Sequence, residues 1–490
     1  MQEETSLNDS NADAQTPATE VTETAEKPES SFDMLRRLLH LALPSMAGTI
    51  SLALMQFVDG WMVSMLDRQM PHDAAVNLAA TFNGGIAAAV PMMFFVGLGG
   101  AVSTLVSQSA GRKLDDEPAR FAWQGLWLAI LSCAVLWPAI LLVRPGFILA
   151  GHSEPLLGAE TLFMSFMLFS VPISAAGNML NNFFLGLHHP VHQFTAGAAG
   201  NVVNLVLDWL LIFGHYGFPR LGLMGAALAT VIGSVVSLLV LVAVFVSPHY
   251  RGQTLRLSAM LPDRGRLWKL LRIGAPSGMQ AASDILCWTV FTLLWVDSFG
   301  RDAAEAQSAA MRYVTLSFMP AVGMGMAVSA MVGKRIGAGD LVGARRAAGW
   351  GFCLSMLYMG LCGLAFWLLR RPLSEFLLGD PRQVAIACDI LIFAALFQLF
   401  DAMTVIFISA LRGAGDTFIP TLVTTLLAWG VCVAGGGLTV WFAPQWGVSG
   451  PWTMATAYLC LSGLWTFWRW KQGKWRHLDV LGARLSKASI

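Results

Sequence analysis

Four aspartates of this chain stand inside long apolar runs: Asp59 in LMQFVDGWMVSML, Asp208 in AAGNVVNLVLDWLLIFG, Asp284 in GAPSGMQAASDILCWTVFTLLW and Asp401 in FQLFDAMTVIFISALRGAGDTFIP. A carboxylate at the centre of a membrane helix costs about 2.5–3.5 kcal/mol on insertion scales, so it is kept where it meets water, a cation or a partner in a bundle interior. Each is a candidate for binding a cation or accepting a proton. Asn201 and Asn204 precede Asp208 within two turns, and Asn204 faces the same way as Asp208, one turn away. Amide oxygens beside a carboxylate suit a hard cation such as sodium, or a proton relay through water. Sodium has two candidate places: Asp59, Asn204 and Asp208, or Asp284 and Asp401. Thr230 in GAALATVIG and Arg312 in AAMRYVTLSFMP complete the set, the arginine as a charge partner for Asp284 or Asp401. The competing readings are structural. Asp59 would be a helix-end residue near Asp67 and Arg68, the asparagines interhelical hydrogen-bonding groups, and Arg312 half of a buried ion pair.

The elements that must position these residues are membrane helices. With 56% hydrophobic and 12% charged residues among 490, the chain has more apolar surface than a soluble core of that size uses. Apolar runs long enough for a bilayer core of about 30 Å fall at 41–66, 77–107, 121–143, 156–184, 194–213, 221–247, 270–296, 305–332, 347–369, 383–411, 418–443 and 447–470. The expected fold is all-α: a polytopic membrane protein of twelve transmembrane helices in two pseudo-symmetric six-helix bundles. Its expected parts are an acidic disordered tail (1–33), a first bundle (34–247), a basic linker (248–269), a second bundle (270–472) and a short tail (473–490). Residues 1–31 hold eight acids against one base, too charged to bury a core.

With the N-terminus cytoplasmic, 23 of the 31 Lys and Arg fall on the inner side, which places both termini inside. Arg370 and Arg371 go against that trend. The seven cysteines lie in apolar segments without metal-type spacing, and the helices hold no histidine cluster, nucleophile–base pair or phosphate loop. No enzymatic activity and no cofactor is expected.

The halves read as copies. ALPS at 42–45 recurs as GAPS at 274–277, Pro91 before a Gly-rich run recurs as Pro320, LGLMGAALAT at 221–230 recurs as WGVSGPWTMAT at 446–456, and FLG at 184–186 aligns with LRG at 411–413. Same-topology repeats are related by an axis along the membrane normal, and many transporters bind their substrate between such halves. At the ALPS/GAPS offset of 232 residues, Asp284 aligns with Leu52 and Asp59 with Phe291, so the charged groups have diverged.

Asp59 with Met62, the Asn-x-x-Asn-x-x-x-Asp run at 201–208, Gly225 to Thr230, GAPSG at 274–278 and SALRGAGDTFIP at 409–420 together resemble the multidrug and toxic compound extrusion (MATE) family, in its NorM-type or DinF-like bacterial members. The resemblance spans about residues 35–470. It implies export of small organic, commonly cationic, compounds across the bacterial inner membrane in exchange for inward H+ or Na+, by alternating access. It implies a monomer in contact with lipid and no nucleic-acid partner. It also carries coupling roles onto Asp59, Asn204, Asp208 and Thr230, and acidic roles onto Asp284 and Asp401. Phe397 departs from the pattern where NorM-type proteins can have a Tyr. LGLHHPVH at 185–192 departs where an Arg-Gly-x-Gly-Asp turn is expected, its three histidines being solvated loop residues or part of a gate. A lipid-linked-sugar flippase of related architecture is the alternative, and it calls for a more basic cavity.

Overall fold

The computed structural model describes residues 30–69, 71–154 and 156–482, with side chains at all of these except 63–83 and 86. Their long helices are α1 (Ser31–Gln69), α2 (Pro71–Gly111), α3 (Glu117–Leu149), α4 (Leu156–Gly186), α5 (Pro190–Phe213) and α6 (Leu223–Phe245), then α7 (Arg264–Phe299), α8 (Arg301–Gly337), α9 (Leu341–Leu377), α10 (Pro381–Ala414), α11 (Phe418–Phe442) and α12 (Ser449–Gln472). Eleven are long and apolar enough to cross a bilayer. The twelfth, α12, has 24 residues, about 36 Å of helix, but Ser, Thr, Gly, Trp and Tyr positions lower its hydropathy.

Most helices run past the apolar spans because polar caps extend them. Asp263 accepts from the Arg266 backbone N–H at 2.9 Å, so α7 starts at Arg264 and the end of the expected linker is already helical. Residues 31–33 likewise belong to α1, with Asp33 in the first turn where the helix dipole favours an acid. The rest of the acidic tail, residues 1–29, and the end of the C-terminal tail, 483–490, lie outside the described residues. What remains of the linker is docked on α3. Trp123 Nε1 donates to the Thr254 carbonyl (2.7 Å), Trp127 Nε1 to that of Met260 (2.8 Å), and Arg256 and Arg266 reach Asp116 (2.7 Å) and Glu117 (2.6 Å).

Packing follows the repeat. Within the first half α2 lies on α4, α3 on α4, and α5 on α6; within the second α8 lies on α10, α9 on α10, and α11 on α12. Between the halves α1 packs on α8 and α2 on α7, two contacts that exchange under a shift of six helices, as a pseudo-two-fold axis requires. These crossings are where the repeated motifs sit. A Cβ on Gly97 would land on the Ser277 carbonyl, one on Gly278 would meet the Phe94 carbonyl, and one on Gly323 would meet the backbone of Ser45 and Met46. The ALPS and GAPS segments thus mark close helix approach, for which small residues are needed.

At the end of the bundle that carries the linker, the two halves are closed on one another. Thr104 Oγ1 donates to the Arg412 carbonyl (3.0 Å), Gln108 Nε2 to the Gly413 carbonyl (2.9 Å), and Gly111 and Gly337 touch the backbones of Lys334 and Gln108. His188, with a left-handed φ of 66°, brings Nε2 to 3.2 Å from the Ala330 carbonyl of α8. In the second half the matching place after the Leu-Gly/Arg-Gly turn is Gly415, φ 87°. Burial, with the Lys334 charge beside it, pushes the His188 imidazole down to about 3. The ring is therefore neutral, and the nitrogen facing the carbonyl is the donor. The histidine turn is part of the seam between the halves.

Gly97→Val places a side chain on the Ser277 carbonyl, and overpacking of this kind costs about 1–3 kcal/mol. The closed seam should open accordingly. A cysteine at Ser107, which is buried there, should react roughly ten- to a hundredfold faster with a polar thiol reagent in the Gly97→Val protein. Equal rates would show that the seam accommodates the side chain.

Candidate functional site

In the first half, α5 and α6 approach through a glycine pair. A Cβ on Gly200 would meet the Gly233 carbonyl, and one on Gly233 would meet Asn204 Cβ, both under 3 Å. That approach carries Asn204 to the face of α6. With its amide oriented to satisfy both neighbours, the Asn204 nitrogen donates to Asp59 Oδ1 (3.2 Å) and its oxygen accepts from the Thr230 backbone N–H (3.2 Å). The Asp59 side chain, from α1, lies within interaction range of the Asp208 side chain on α5. Asp208 is fully buried and Asn204 almost so, whereas Asp59 is half-buried. Met62, Ile212 and Ala226 close an apolar cluster on the far side.

Two carboxyl groups can share a hydrogen bond only when one of them holds a proton, because two carboxylates have no donor between them. Asp208 Oδ1 has no hydrogen-bond partner, which leaves an acceptor free inside the site. Thr230 joins through its backbone, since its hydroxyl donates to the Ala226 carbonyl at 3.0 Å. Asn201 stands apart and donates to Ser51 Oγ on α1 at 2.9 Å, a second tie between α1 and α5.

The second half holds a different cluster. Asp284 on α7 and Asp401 on α10 lie within electrostatic range of one another, and Tyr458 on α12, 6% exposed, lies near both. The expectation that Arg312 neutralises these carboxylates is corrected here: Arg312 is exposed, with its guanidinium 5.9 Å from the Phe57 ring centroid of α1. The base that acts on Asp284 is Arg412. Arg312 lies on the side of α8 turned to α1, whereas α10 itself delivers Arg412 beneath α2, its Cδ under Gly100. Asp284 Oδ1 and Arg412 Nε are both enclosed and without a hydrogen-bond partner. Opposite charges held in range yet unbonded leave both groups with hydrogen-bonding capacity unmet.

The helices around Asp284 are irregular. α7 becomes π-helical at Phe291–Val296 and α11 at Ala428–Ala434, and Cys287 Sγ reaches the Ala428 carbonyl at 3.6 Å between them. Such turns loosen the backbone ladder and recur at functional sites. Phe397, where a Tyr was the family pattern, stacks flat on Trp452 with centroids 6.4 Å apart. Sequence reasoning passed over Arg412 because it ends an apolar run, where a base reads as a solvated helix terminus; the signal was its place in SALRGAGDT. Among the described residues, no group of three or more His, Cys, Asp or Glu could hold a metal ion.

Two repeated six-helix halves with a carboxyl cluster inside each define a polytopic membrane transporter. The family profile described as MatE matches residues 44–210 and 283–434, and the chain belongs to that family, the multidrug and toxic compound extrusion transporters. It is similar to the multidrug resistance protein PmpM of Pseudomonas aeruginosa, 31% identical over 87% of this chain and 90% of that protein. It is also similar to the probable multidrug resistance protein NorM of Chromobacterium violaceum, 28% identical over 88% and 92%. Among solved structures, a MOP superfamily transporter from Pyrococcus furiosus superposes with a TM-score of 0.80 at 19% identity, covering 92% of this chain and all of that one. A Vibrio cholerae MATE transporter does so with the same score, 19% identity and 92% and 99% coverage.

If Asp59 and Asp208 share one proton, their replacements are coupled. Asp59→Asn and Asp208→Asn should each lower the midpoint of thermal unfolding, and the double variant should depart from additivity by about 0.5–3 kcal/mol. Additive losses would separate the two carboxyls.

Proposed function

We propose that this protein is a secondary antiporter that exports amphipathic organic cations and takes up protons in exchange, with Asp59 and Asp208 as the proton-exchanging pair. The close approach of these two carboxyls, which a shared proton would bond to one another, carries the reading. Loss of the shared proton removes that bond and leaves two like charges facing each other, which drives α1 away from α5. Because α1 also packs on α8 of the other half, its displacement is felt at the contact between halves. Asn204 bridges Asp59 to α6 and keeps the proton-bearing arrangement in place. Asp284 and Asp401 are the recognition groups for the cationic solute, with Arg412 as the internal cation that holds their place when solute is absent.

The linker end, rich in Lys and Arg, faces the cytoplasm, so the closed seam is the inner gate and the described state faces outward. On the opposite side Arg371 is paired with Glu375 at 2.8 Å and Arg144 with Glu154 at 3.3 Å, which softens the exception that Arg370 and Arg371 make to the charge rule. The bacterial relatives, named multidrug resistance proteins, support the solute class. One proton moving inward for one monocation moving outward transfers no net charge, so the pH difference drives the exchange, and each pH unit, about 1.4 kcal/mol, supports roughly a tenfold solute gradient. The flippase alternative calls for several bases around a pyrophosphate, and among the two clusters Arg412 is the single one.

Proteoliposomes with separately imposed proton and sodium gradients test the reading. A proton gradient should drive export of an organic cation such as ethidium, and Asp59→Asn should reduce it at least tenfold while the protein remains folded and membrane-inserted. Full gradient-driven export by that variant, or a response to sodium alone, would overturn the assignment.

A further inference from the structure

We propose that the second half carries, at the end remote from the linker, a separate binding site for an organic cation: the cavity walled by Phe299, Phe393, Trp446 and Trp452, with Asp389 at its edge. The cavity measures about 310 Å³, and four elements contribute to it: the end of α7, the start of α8, the first third of α10 and the turn entering α12.

Its back wall is rigid. Trp452 is fully buried, its Nε1 donates to Gln307 Oε1 at 3.2 Å, and Gln307 Nε2 donates in turn to Thr292 Oγ1 at 2.6 Å. Its front is open, since Trp446 is 53% exposed. A belt of interfacial aromatics would spread its rings over the outer surface. Here they converge on a hollow.

The charge in that hollow is unspent. Asp389 is exposed and, among the described residues, makes no hydrogen bond or ion pair, whereas the bases nearby in sequence are engaged or few. Segments 297–305 and 380–389 hold five acids (Asp297, Asp302, Glu305, Asp380, Asp389) against Arg301 and Arg382. Arg301 is taken by Glu305 at 2.6 Å. Aromatic faces around one free carboxylate are the chemistry that recognises a large, weakly hydrated monocation, by cation–π attraction and charge together. The site is distinct from the inner carboxylates. Asp389, Phe393, Phe397 and Asp401 follow one another at four-residue spacing along a ridge of α10, so Asp389 and Asp401 are about 18 Å apart along the axis. The Phe397–Trp452 stack stands between them. The ligand assignment stands on this geometry; only its role, a station for solute that has left the inner site, rests on the export reading.

Tetraphenylphosphonium is the probe, measured by equilibrium binding to the full chain in phosphatidylglycerol nanodiscs. The parent should show two classes of site. Asp389→Asn and Phe393→Ala should each weaken one of them at least tenfold, and Asp401→Asn should leave that one intact. Neutral triphenylphosphine oxide should not compete. Because Asp389 is exposed, its Asn variant should keep the parent's unfolding temperature, so lost binding is not lost fold. An Asp389→Asn isotherm that superimposes on the parent's, or equal competition by the neutral analogue, overturns the site. Loss of that class in phosphatidylcholine nanodiscs alone would assign the cavity to a lipid headgroup and overturn the solute assignment. Export of the same probe separates the readings: absent export with Asp389-dependent binding sinks the antiport and keeps the site, and intact export with Asp389-independent binding sinks the site alone.

Discussion

A carboxyl group enclosed among membrane helices has to share its charge or its proton, and much of this architecture follows from how the aspartates do so. In the first half Asp59 and Asp208 face each other, and Asn204 links Asp59 to α6. That arrangement requires three helices at close range, which the glycines at 200 and 233 permit. It also brings α1 and α5 together near a second tie, the bond that Asn201 donates to Ser51 Oγ at 2.9 Å. Because α1 is also the helix that packs on α8 of the other half, the pair stands one helix away from the contact between halves.

The second half solves the same problem with a base. Arg412 acts on Asp284 without bonding to it, and both keep an enclosed polar atom unpartnered. Unsatisfied groups of this kind are costly where hydrocarbon surrounds them, and here they adjoin two helices that have given up regular hydrogen bonding for a π-turn. The position that corresponds to Asp59 is Phe291, fully buried and packed edge-on against Trp452. One half of the duplication thus kept a polar pair where the other filled the space with aromatic rings.

The seam between halves has its own constraint. Backbones that meet across the two-fold axis do so at Gly97, Gly278 and Gly323, where a side chain would strike a carbonyl or a Cα. At the linker end the seam is polar and reversible in kind: a threonine, a glutamine and a neutral histidine each donate to a carbonyl of the opposite half. His188 occupies a left-handed backbone position that non-glycine residues adopt at a cost of roughly 1–2 kcal/mol, and its bond to Ala330 offsets part of that.

The sequence by itself determined the membrane class, the helix number, the duplication and the first-half cluster. Hydrophobic length is a local property, and Asn204 and Asp208 share a helix face by spacing alone, so both could be read along the chain. Asp59 could be singled out as a buried charge, and the family resemblance grouped it with Asn204 and Asp208, but spacing alone could not, because the approach of α1 to α5 depends on how the three intervening helices pack. The same holds for the second half. Arg312 and Arg412 are equally plausible partners in one dimension, and only the rotation of α8 toward α1 and the course of α10 beneath α2 decided that Arg412 is the base in range of Asp284. The histidine turn read as a solvated loop until the tertiary structure placed it against α8, since burial is a property of what comes from elsewhere in the chain.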